Sequence, residues 1–230
     1  NTSVALDPPS AFVVVATVDE SALPTATPEV WRGPLRSVHV TRVADESQCD
    51  WVVRAAEAHA ASLGGWDGTG HHDYHPTNDV VVADSKPLRE WLQAKLDDVI
   101  WPALGAQFGV APEELWLEDA FIIRYESAES GQSGLGMHTD DSELSFTILL
   151  SDPNTFEGGG TTFEAASNLI VTPAQGQMVS HFGRLRHAGN PVSEGVRYIL
   201  AGFVRCQPMA KAWRVLREPP NSRVGWAGIS

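Results

Sequence analysis

The stretch GLGMHTDDSELSFTILLS, residues 134–151, places a histidine and an aspartate one residue apart, directly before an apolar run typical of a buried strand. Residues i and i+2 of a strand face the same side, so His138 and Asp140 are expected to present an imidazole and a carboxylate together. Two such groups provide two corners of a metal site. Taken alone, the pair also fits a surface histidine and a turn aspartate.

Short apolar or alternating runs surround this stretch after about residue 116, and Gly, Pro, Asn or Ser separate them. Their spacing is typical of a sandwich or barrel, so this half of the chain predicts an antiparallel β barrel. Gly158, Gly159 and Gly160 predict a tight turn or bulge within it, because no helix follows them. The runs are LEDAFIIRYES (117–127), ELSFTILLS (143–151), GGTTFEA (159–165), NLIVTP (168–173), GQMVSHF (176–182) and GVRYILAGFVRCQ (195–207).

The first 115 residues predict a few strands and supporting helices. AFVVVATV (11–18) and SVHVTRV (37–43) indicate strands, the first set in Pro-punctuated loop that fills the rest of residues 1–36. Helices are expected over 45–65, capped by Asp45 or Ser47, and over 85–109, with Ser85 as cap and a break or kink at Pro102. We therefore expect one domain over residues 1–230, with the barrel core at 116–206 and a C-terminal extension at 207–230.

A Gly-rich polar segment, residues 65–79, lies between the two predicted helices. A solvated loop is the default interpretation of such a segment. The alternative is that the segment contacts a substrate through Trp66, His72, Tyr74 and Asp79.

Composition excludes several classes of protein. The formal net charge of −13 argues against nucleic-acid binding, because affinity for phosphate depends on Lys and Arg. No run of about 18 apolar residues is present, so no membrane span is expected in this chain. Cys49 and Cys206 are the only cysteines, which excludes a disulfide framework but leaves one bridge open.

The second histidine of a metal site has two downstream candidates, His181 and His187. His187 precedes Arg197 by ten residues, and Arg197 stands at the head of a hydrophobic strand. A buried arginine needs an anionic partner, and its fork geometry suits a carboxylate. Two histidines and one carboxylate with open coordination positions suit non-haem Fe(II) oxygenases. Because Arg197 needs an anionic partner, a dicarboxylic acid bound between Arg197 and the metal is expected.

The motifs HTD (138–140), EGGGTTF (157–163), GRLRHAGNPV (183–192) and GVRYILAGF (195–203) together resemble the 2-oxoglutarate- and Fe(II)-dependent dioxygenases. Their spacing is most similar to the prolyl and procollagen lysyl hydroxylases, although prolyl hydroxylases have Lys where this chain has Arg197. The resemblance implies an α+β, mainly β fold, a double-stranded β-helix of the jelly-roll or cupin-like type. The resemblance implies His138, Asp140 and His187 as the Fe(II) ligands, and Arg197 and Tyr125 as contacts of 2-oxoglutarate. Thr147 has the same strand parity as Ser145 and Leu149 and is expected to line the same pocket. His181 is expected to have a supporting role beside the ligands.

The same resemblance implies a reaction. It is the 2-oxoglutarate- and O2-dependent hydroxylation of an unactivated C–H bond, giving succinate and CO2, with ascorbate admitted as a further cofactor. A peptidyl lysine or proline is the expected substrate, and a free amino acid or small metabolite stays open. Two other classes also stay open: a cupin-type metal isomerase or hydrolase, which needs no Arg197, and a catalytically silent barrel acting as an interaction module. The resemblance favours the secretory pathway or ER lumen.

Overall fold

A computed structural model describes residues 12–25, 27–66, 77–127, 129 and 131–211. The helices are α1 (Glu29–Leu35), α2 (Glu46–Leu63), α3 (Lys86–Lys95) and α4 (Trp101–Phe108). The strands are β1 (Phe12–Thr17), β2 (Ser37–Arg42), β3 (Asp79–Val81), β4 (Leu115–Glu126), β5 (Leu135–His138), β6 (Leu144–Leu149), β7 (Phe156–Gly158), β8 (Thr161–Phe163), β9 (Leu169–Val171), β10 (Gln177–Phe182), β11 (His187–Gly189) and β12 (Val192–Cys206).

The strands form two antiparallel sheets. The large sheet has the order β1-β2-β10-β6-β12-β4-β3, with β7 paired to the beginning of β12, and the small sheet has the order β5-β11-β8-β9. Residues of both sheets line one cavity, so the sheets face each other across it. The predicted mainly β fold with N-terminal helices is confirmed, but the sheets do not join into a closed barrel.

Strand parity separates the two faces of the large sheet. On the helix-covered face, Ile122 of β4 and Leu200 of β12 belong to the main core, which also contains apolar residues of α2, α3 and α4. On the opposite face, odd-numbered residues such as Ile123 and Ile199 line the cavity. Period-two alternation therefore buries one set of side chains under the helices and aims the other set at the site.

Hydrogen bonds stabilise the start of α2 and join α4 to the large sheet. The Asp45 side chain accepts a hydrogen bond from the Gln48 backbone N–H, and the Gln48 side chain accepts one from the Asp45 backbone N–H. Such a capping box stabilises a helix end by about 1 kcal/mol. The buried Gln107 amide joins α4 to the large sheet: it donates to the Thr41 Oγ1 at 2.8 Å and accepts from the Ser180 Oγ at 2.7 Å.

The predicted break at Pro102 takes the form of a widened turn. A π-helical segment, Leu96–Ile100, separates α3 from α4, and Pro102 lies in the first turn of α4. Proline cannot donate to the carbonyl four residues earlier, and a π turn before it accommodates the lost bond. Ser85 holds the cap position of α3, but its side chain makes no capping bond.

The prediction of loop for the rest of residues 1–36 was wrong over α1. Pro28 precedes this short helix and Pro34 lies inside it, so the prolines concealed the helical pattern of Trp31 and the fully buried Leu35. The strands β3, β5, β7 and β11 were also not predicted individually. Each has three or four residues, too few to show a period. Over the described ranges no helix is both long and apolar enough to cross a membrane.

Candidate metal and co-substrate site

The two predicted histidine ligands lie side by side on adjacent strands of the small sheet. His138 ends β5, His187 begins β11, and the two are paired in register. Asp140 lies beyond the end of β5, in the turn that leads to β6, so the expectation that the pair shares one strand was wrong. The turn is held by the Asp140 backbone N–H, which donates to the Gly183 carbonyl at 2.9 Å.

The three side chains converge on one point. The Nε2 of His138 lies 3.4 Å from one carboxylate oxygen of Asp140, and the Nε2 of His187 lies 3.7 Å from the other. One potential ligand atom from each residue lies within 4.8 Å of the other two. Ligand atoms that share a metal ion at about 2 Å are separated by about 3 Å, so the observed spacing is close to that of a metal site.

Backbone carbonyls orient both imidazoles. The Nδ1 of His138 is 2.7 Å from the Gly136 carbonyl, and the Nδ1 of His187 is 2.8 Å from the Leu185 carbonyl. A carbonyl can only accept, so Nδ1–H donates in each ring and Nε2 is the nitrogen directed at Asp140. This is the arrangement by which proteins fix the tautomer of a metal-binding histidine.

Burial and hydrogen bonding shift the pKa values of the three cluster residues in different directions. Burial raises the pKa of Asp140, but the hydrogen bond from His138 and the nearby His187 and His181 outweigh it, so the pKa of this carboxyl is held well below its usual range. Burial lowers the pKa of His187, which favours the neutral imidazole. Burial also acts to lower the pKa of His138, but hydrogen bonding to Asp140 and Gly136 leaves it raised.

Arg197 is a buried cation at the same cavity. It is 3% exposed and lies within β12, not at its head, where it pairs with Tyr125 of β4. The guanidinium carbon is 5.8 Å from the centre of the Tyr125 ring, and burial lowers the pKa of Arg197. No carboxylate of the described residues lies within ion-pair distance of it. An isolated buried charge is costly, so a bound anion is the partner that this position suits.

The cavity between the sheets connects the metal-ligand cluster to Arg197. Its accessible volume is about 70 Å³, large enough for several water molecules. Tyr125 and Thr147, both predicted from the sequence, line it. Burial raises the pKa of Tyr125 to about 12, so its hydroxyl stays protonated and can donate. The other lining residues are Ile123, Leu135, His138, Asp140, Ser145, Phe146, Thr161, His181, His187, Gly189, Arg197, Ile199, Ala201 and Phe203.

His181 lies against the cluster without joining it. Its ring is 4.5 Å from that of His187, edge to face, and 5.0 Å from Phe163, while Nδ1 bonds the Phe182 carbonyl at 3.0 Å. Burial lowers the pKa of His181 to about 3, so the ring is neutral. Its place beside His187 agrees with the predicted supporting role.

Trp66 and Asp79, the described candidates from the Gly-rich segment, do not line the cavity. The Trp66 ring packs against Tyr198 at 5.7 Å and donates to Glu57 at 3.0 Å, while Asp79 lies in β3 and accepts from Thr77. His72 and Tyr74 lie outside the described residues. Among residues the sequence did not single out, Ile123, Ile199 and Phe203 line the cavity, and their shared parity with Tyr125 or Arg197 is the signal that identifies them.

Solved structures define the class of the fold. A carbocyclase from nogalamycin biosynthesis, SnoK, described as non-haem and α-ketoglutarate dependent, matches with a TM-score of 0.57 at 15% identity over 92% of this chain and 97% of its own. A viral collagen prolyl hydroxylase of Paramecium Bursaria Chlorella virus-1 matches with a TM-score of 0.52 at 18% identity over 74% of this chain and 96% of its own. The protein therefore has the jelly-roll fold of the 2-oxoglutarate- and Fe(II)-dependent oxygenases, as predicted.

Sequence comparison is more specific. The human multifunctional procollagen lysine hydroxylase and glycosyltransferase LH3 is 29% identical over 188 residues, covering 77% of this chain and 23% of the relative. The procollagen-lysine,2-oxoglutarate 5-dioxygenase 1 of Gallus gallus is 30% identical over 179 residues, covering 74% of this chain and 24% of the relative. No protein-family model matches. The resemblance to the lysyl and prolyl hydroxylases is confirmed, and the chain spans about a quarter of the length of these relatives.

Proposed function

We propose that this chain is a 2-oxoglutarate- and O2-dependent hydroxylase that uses Fe(II). One observation supports the proposal above the others: two histidines, one carboxylate and an arginine without an anionic partner among the described residues share one cavity between the sheets. Histidine and carboxylate donors that leave positions open suit Fe(II). A buried guanidinium suits a carboxylate.

The residues divide the work by position. His138, Asp140 and His187 would hold Fe(II), which with 2-oxoglutarate and O2 supplies the oxidation of an unactivated C–H bond. Arg197 would bind the far carboxylate of 2-oxoglutarate, and Tyr125 and Thr147 would contact the co-substrate from the same wall. Ile123, Ile199 and Phe203 add apolar surface to that wall, which would lower the local dielectric constant and strengthen an ion pair with Arg197.

The substrate we propose is a peptidyl lysine or proline. The relatives that match over about three quarters of this chain are named as lysine hydroxylases of procollagen. The net charge of −13 favours a cationic partner such as lysine.

The first experiment is an anaerobic titration of the Fe(II)-loaded protein with 2-oxoglutarate, following the visible charge-transfer band of keto-acid chelation. We expect a band in the wild type, its loss in His187→Ala, and a need for far more co-substrate in Arg197→Ala. A protein that binds Fe(II) but gives no band would overturn the dioxygenase proposal in favour of another metal enzyme. Failure to bind Fe(II) would favour a silent barrel.

A second experiment addresses the substrate. Lysine- and proline-containing peptides and the free amino acids are incubated with Fe(II), 2-oxoglutarate and O2, and the products are analysed by mass spectrometry for one added oxygen atom. Asp140→Ala is the inactive control. Hydroxylation of free amino acids only would replace the peptidyl substrate by a small metabolite.

A further inference from the structure

Three glycines with left-handed backbone join β7 to β8: Gly158 ends β7, and Gly159 and Gly160 form the connection. Gly158, Gly159 and Gly160 have φ values of 82°, 71° and 89°. The sequence assigned them only to a turn or bulge. In the structure each glycine approaches a different neighbour, and a side chain at position 158 would meet the Pro191 carbonyl, whereas one at position 160 would meet Ile170 of β9. Only the middle glycine faces the cavity residue Arg197.

Gly159 packs directly against the side chain of Arg197. A methyl group added at Gly159 would lie 2.9 Å from the Cδ of Arg197, 3.2 Å from its Nε and 3.3 Å from the Phe156 ring. Carbon atoms in contact are normally about 3.5–4.0 Å apart, so the arginine would have to move. The backbone of Gly159 is itself fixed, because its N–H donates to the Pro191 carbonyl at 2.9 Å.

We propose that Gly159 is a positioning residue for the co-substrate: its missing side chain sets where the Arg197 guanidinium stands, and so the length of diacid that the cavity accepts. This inference rests on the proposed function. Gly159 would act through Arg197 and would not itself touch the metal ligands.

The physical reason lies in the geometry of guanidinium–carboxylate pairs. Two parallel N–H···O bonds form only if the fork and the carboxylate are coplanar and in register. Arg197 has little freedom to readjust, because it is buried, is paired with Tyr125 of β4 and has Gly159 packed against its side chain. A displaced fork loses one or both bonds to the far carboxylate while the 2-oxo acid end is unaffected.

The test compares Gly159→Ala with Gly109→Ala in the Fe(II)-loaded protein, by anaerobic titration with 2-oxoglutarate and with pyruvate. Gly109 has nearly the same left-handed φ, 66°, but a methyl group there meets nothing within 4 Å, so it matches the backbone strain alone. Pyruvate has the 2-oxo acid end without the far carboxylate. We expect Gly159→Ala to weaken 2-oxoglutarate binding by about tenfold to a hundredfold, with pyruvate binding unchanged.

Each outcome bears on a different statement. If wild-type protein shows no 2-oxoglutarate binding, the proposed function fails. The positioning role is wrong if the wild type and Gly159→Ala bind 2-oxoglutarate equally. It is also wrong if Gly159→Ala weakens the binding of 2-oxoglutarate and of pyruvate to the same extent. Should Gly159→Ala fail to fold, Gly159→Ala/Phe156→Leu relieves the contact with the Phe156 ring but keeps the contact with Arg197, so the same titrations are expected to show the same selective loss.

Discussion

At the scale of single residues, the site combines an oriented ligand cluster with an isolated charge. The two histidines are fixed by backbone carbonyls, and the pKa of Asp140 is held low by its neighbours, so the cluster is arranged before any metal binds. Arg197 has the opposite character, since no described carboxylate lies within ion-pair distance of it. In the proposed site such a residue would serve binding at a cost to the stability of the free protein.

Arg197→Met is therefore expected to stabilise the free protein and, if the proposed function holds, to abolish tight binding of 2-oxoglutarate. Methionine keeps the unbranched stem and removes the uncompensated charge, so the free energy of unfolding should rise by about 1 kcal/mol or more in urea titrations. Arg124→Met is the control, because Arg124 pairs with Glu126 at 2.7 Å and its loss leaves that carboxylate unpaired. Equal destabilisation by both variants would contradict an isolated charge at Arg197.

His39 gives a pH dependence that is separate from the site. Its ring lies edge-on to Phe12 and Phe108 at 5.0 and 5.2 Å, and burial lowers its pKa from 6.5 to about 4. Neither ring nitrogen has a hydrogen-bond partner within the part of the chain that the structure describes. The unfolded chain thus binds more protons than the folded one between these values, and stability is full above 6.5 and falls as the pH drops toward 4.

We expect His39→Phe to remove this dependence while keeping the aromatic packing. Between about pH 7 and about pH 5 the wild type should lose about 2 kcal/mol more unfolding free energy than the variant, measured by urea titration at both pH values. Buried His181 and His187 contribute equally to both proteins, so the difference isolates His39. Parallel losses in the two proteins would show that His39 stays neutral in the unfolded chain or is charged in the folded one.

At the scale of elements, β12 does most to connect core and site. It spans Val192–Cys206 and pairs with β4, β6 and β7. One face packs under the helices, and the other carries Arg197, Ile199 and Phe203 into the cavity. Gly202 pairs with Phe146 of β6, and a methyl group there would overlap the Phe146 ring. The close fit between β12 and β6 depends on that missing side chain.

Gly202→Ala is expected to lower the free energy of unfolding by about 1–3 kcal/mol through overpacking. Gly202→Ala/Phe146→Leu should recover part of the loss, because leucine vacates the ring volume. Gly136→Ala, in β5 with nothing within 4 Å of the added methyl group, is the control. Urea titration measures all three variants, and a loss in Gly202→Ala no larger than in the control would mean that the sheet adjusts freely.

At the scale of the whole molecule, the architecture and the net charge have separate effects on the site and on the molecules that approach it. The two facing sheets and the helices fix the site, whereas the net charge of −13 acts on molecules that approach it. A cationic substrate is drawn toward such a surface and a neutral one is not. Salt screens this attraction without altering the site itself.

For a lysine peptide we therefore expect KM to rise severalfold between about 0.01 M and about 0.15 M ionic strength, where the Debye length falls from about 30 Å to about 8 Å. A neutral proline peptide of the same length should show little change. Steady-state kinetics with both peptides, following succinate release, provides the measurement. The same salt response for the two peptides would exclude long-range attraction as a contribution to substrate preference.

The sequence alone determined the features that depend on neighbours along the chain. Period-two runs predicted β4, β6, β10 and β12, and a cap at Asp45 with Gly64 at the other end predicted α2. The motif resemblance predicted the jelly-roll fold, and the same motifs selected the candidate residues of the site. These features are readable because strand alternation, helix capping and the spacing of a motif are local properties.

Only the tertiary structure decided the features that depend on contacts between distant segments. β7 and β11 have three residues each and are strands only because β12, β5 and β8 pair with them. Asp140 reaches the histidines from a turn held by the Gly183 carbonyl, and Gly159 meets Arg197 although 38 positions (197 − 159) separate them. Such contacts have no periodic pattern in the sequence, because they are selected by the packing of the two sheets.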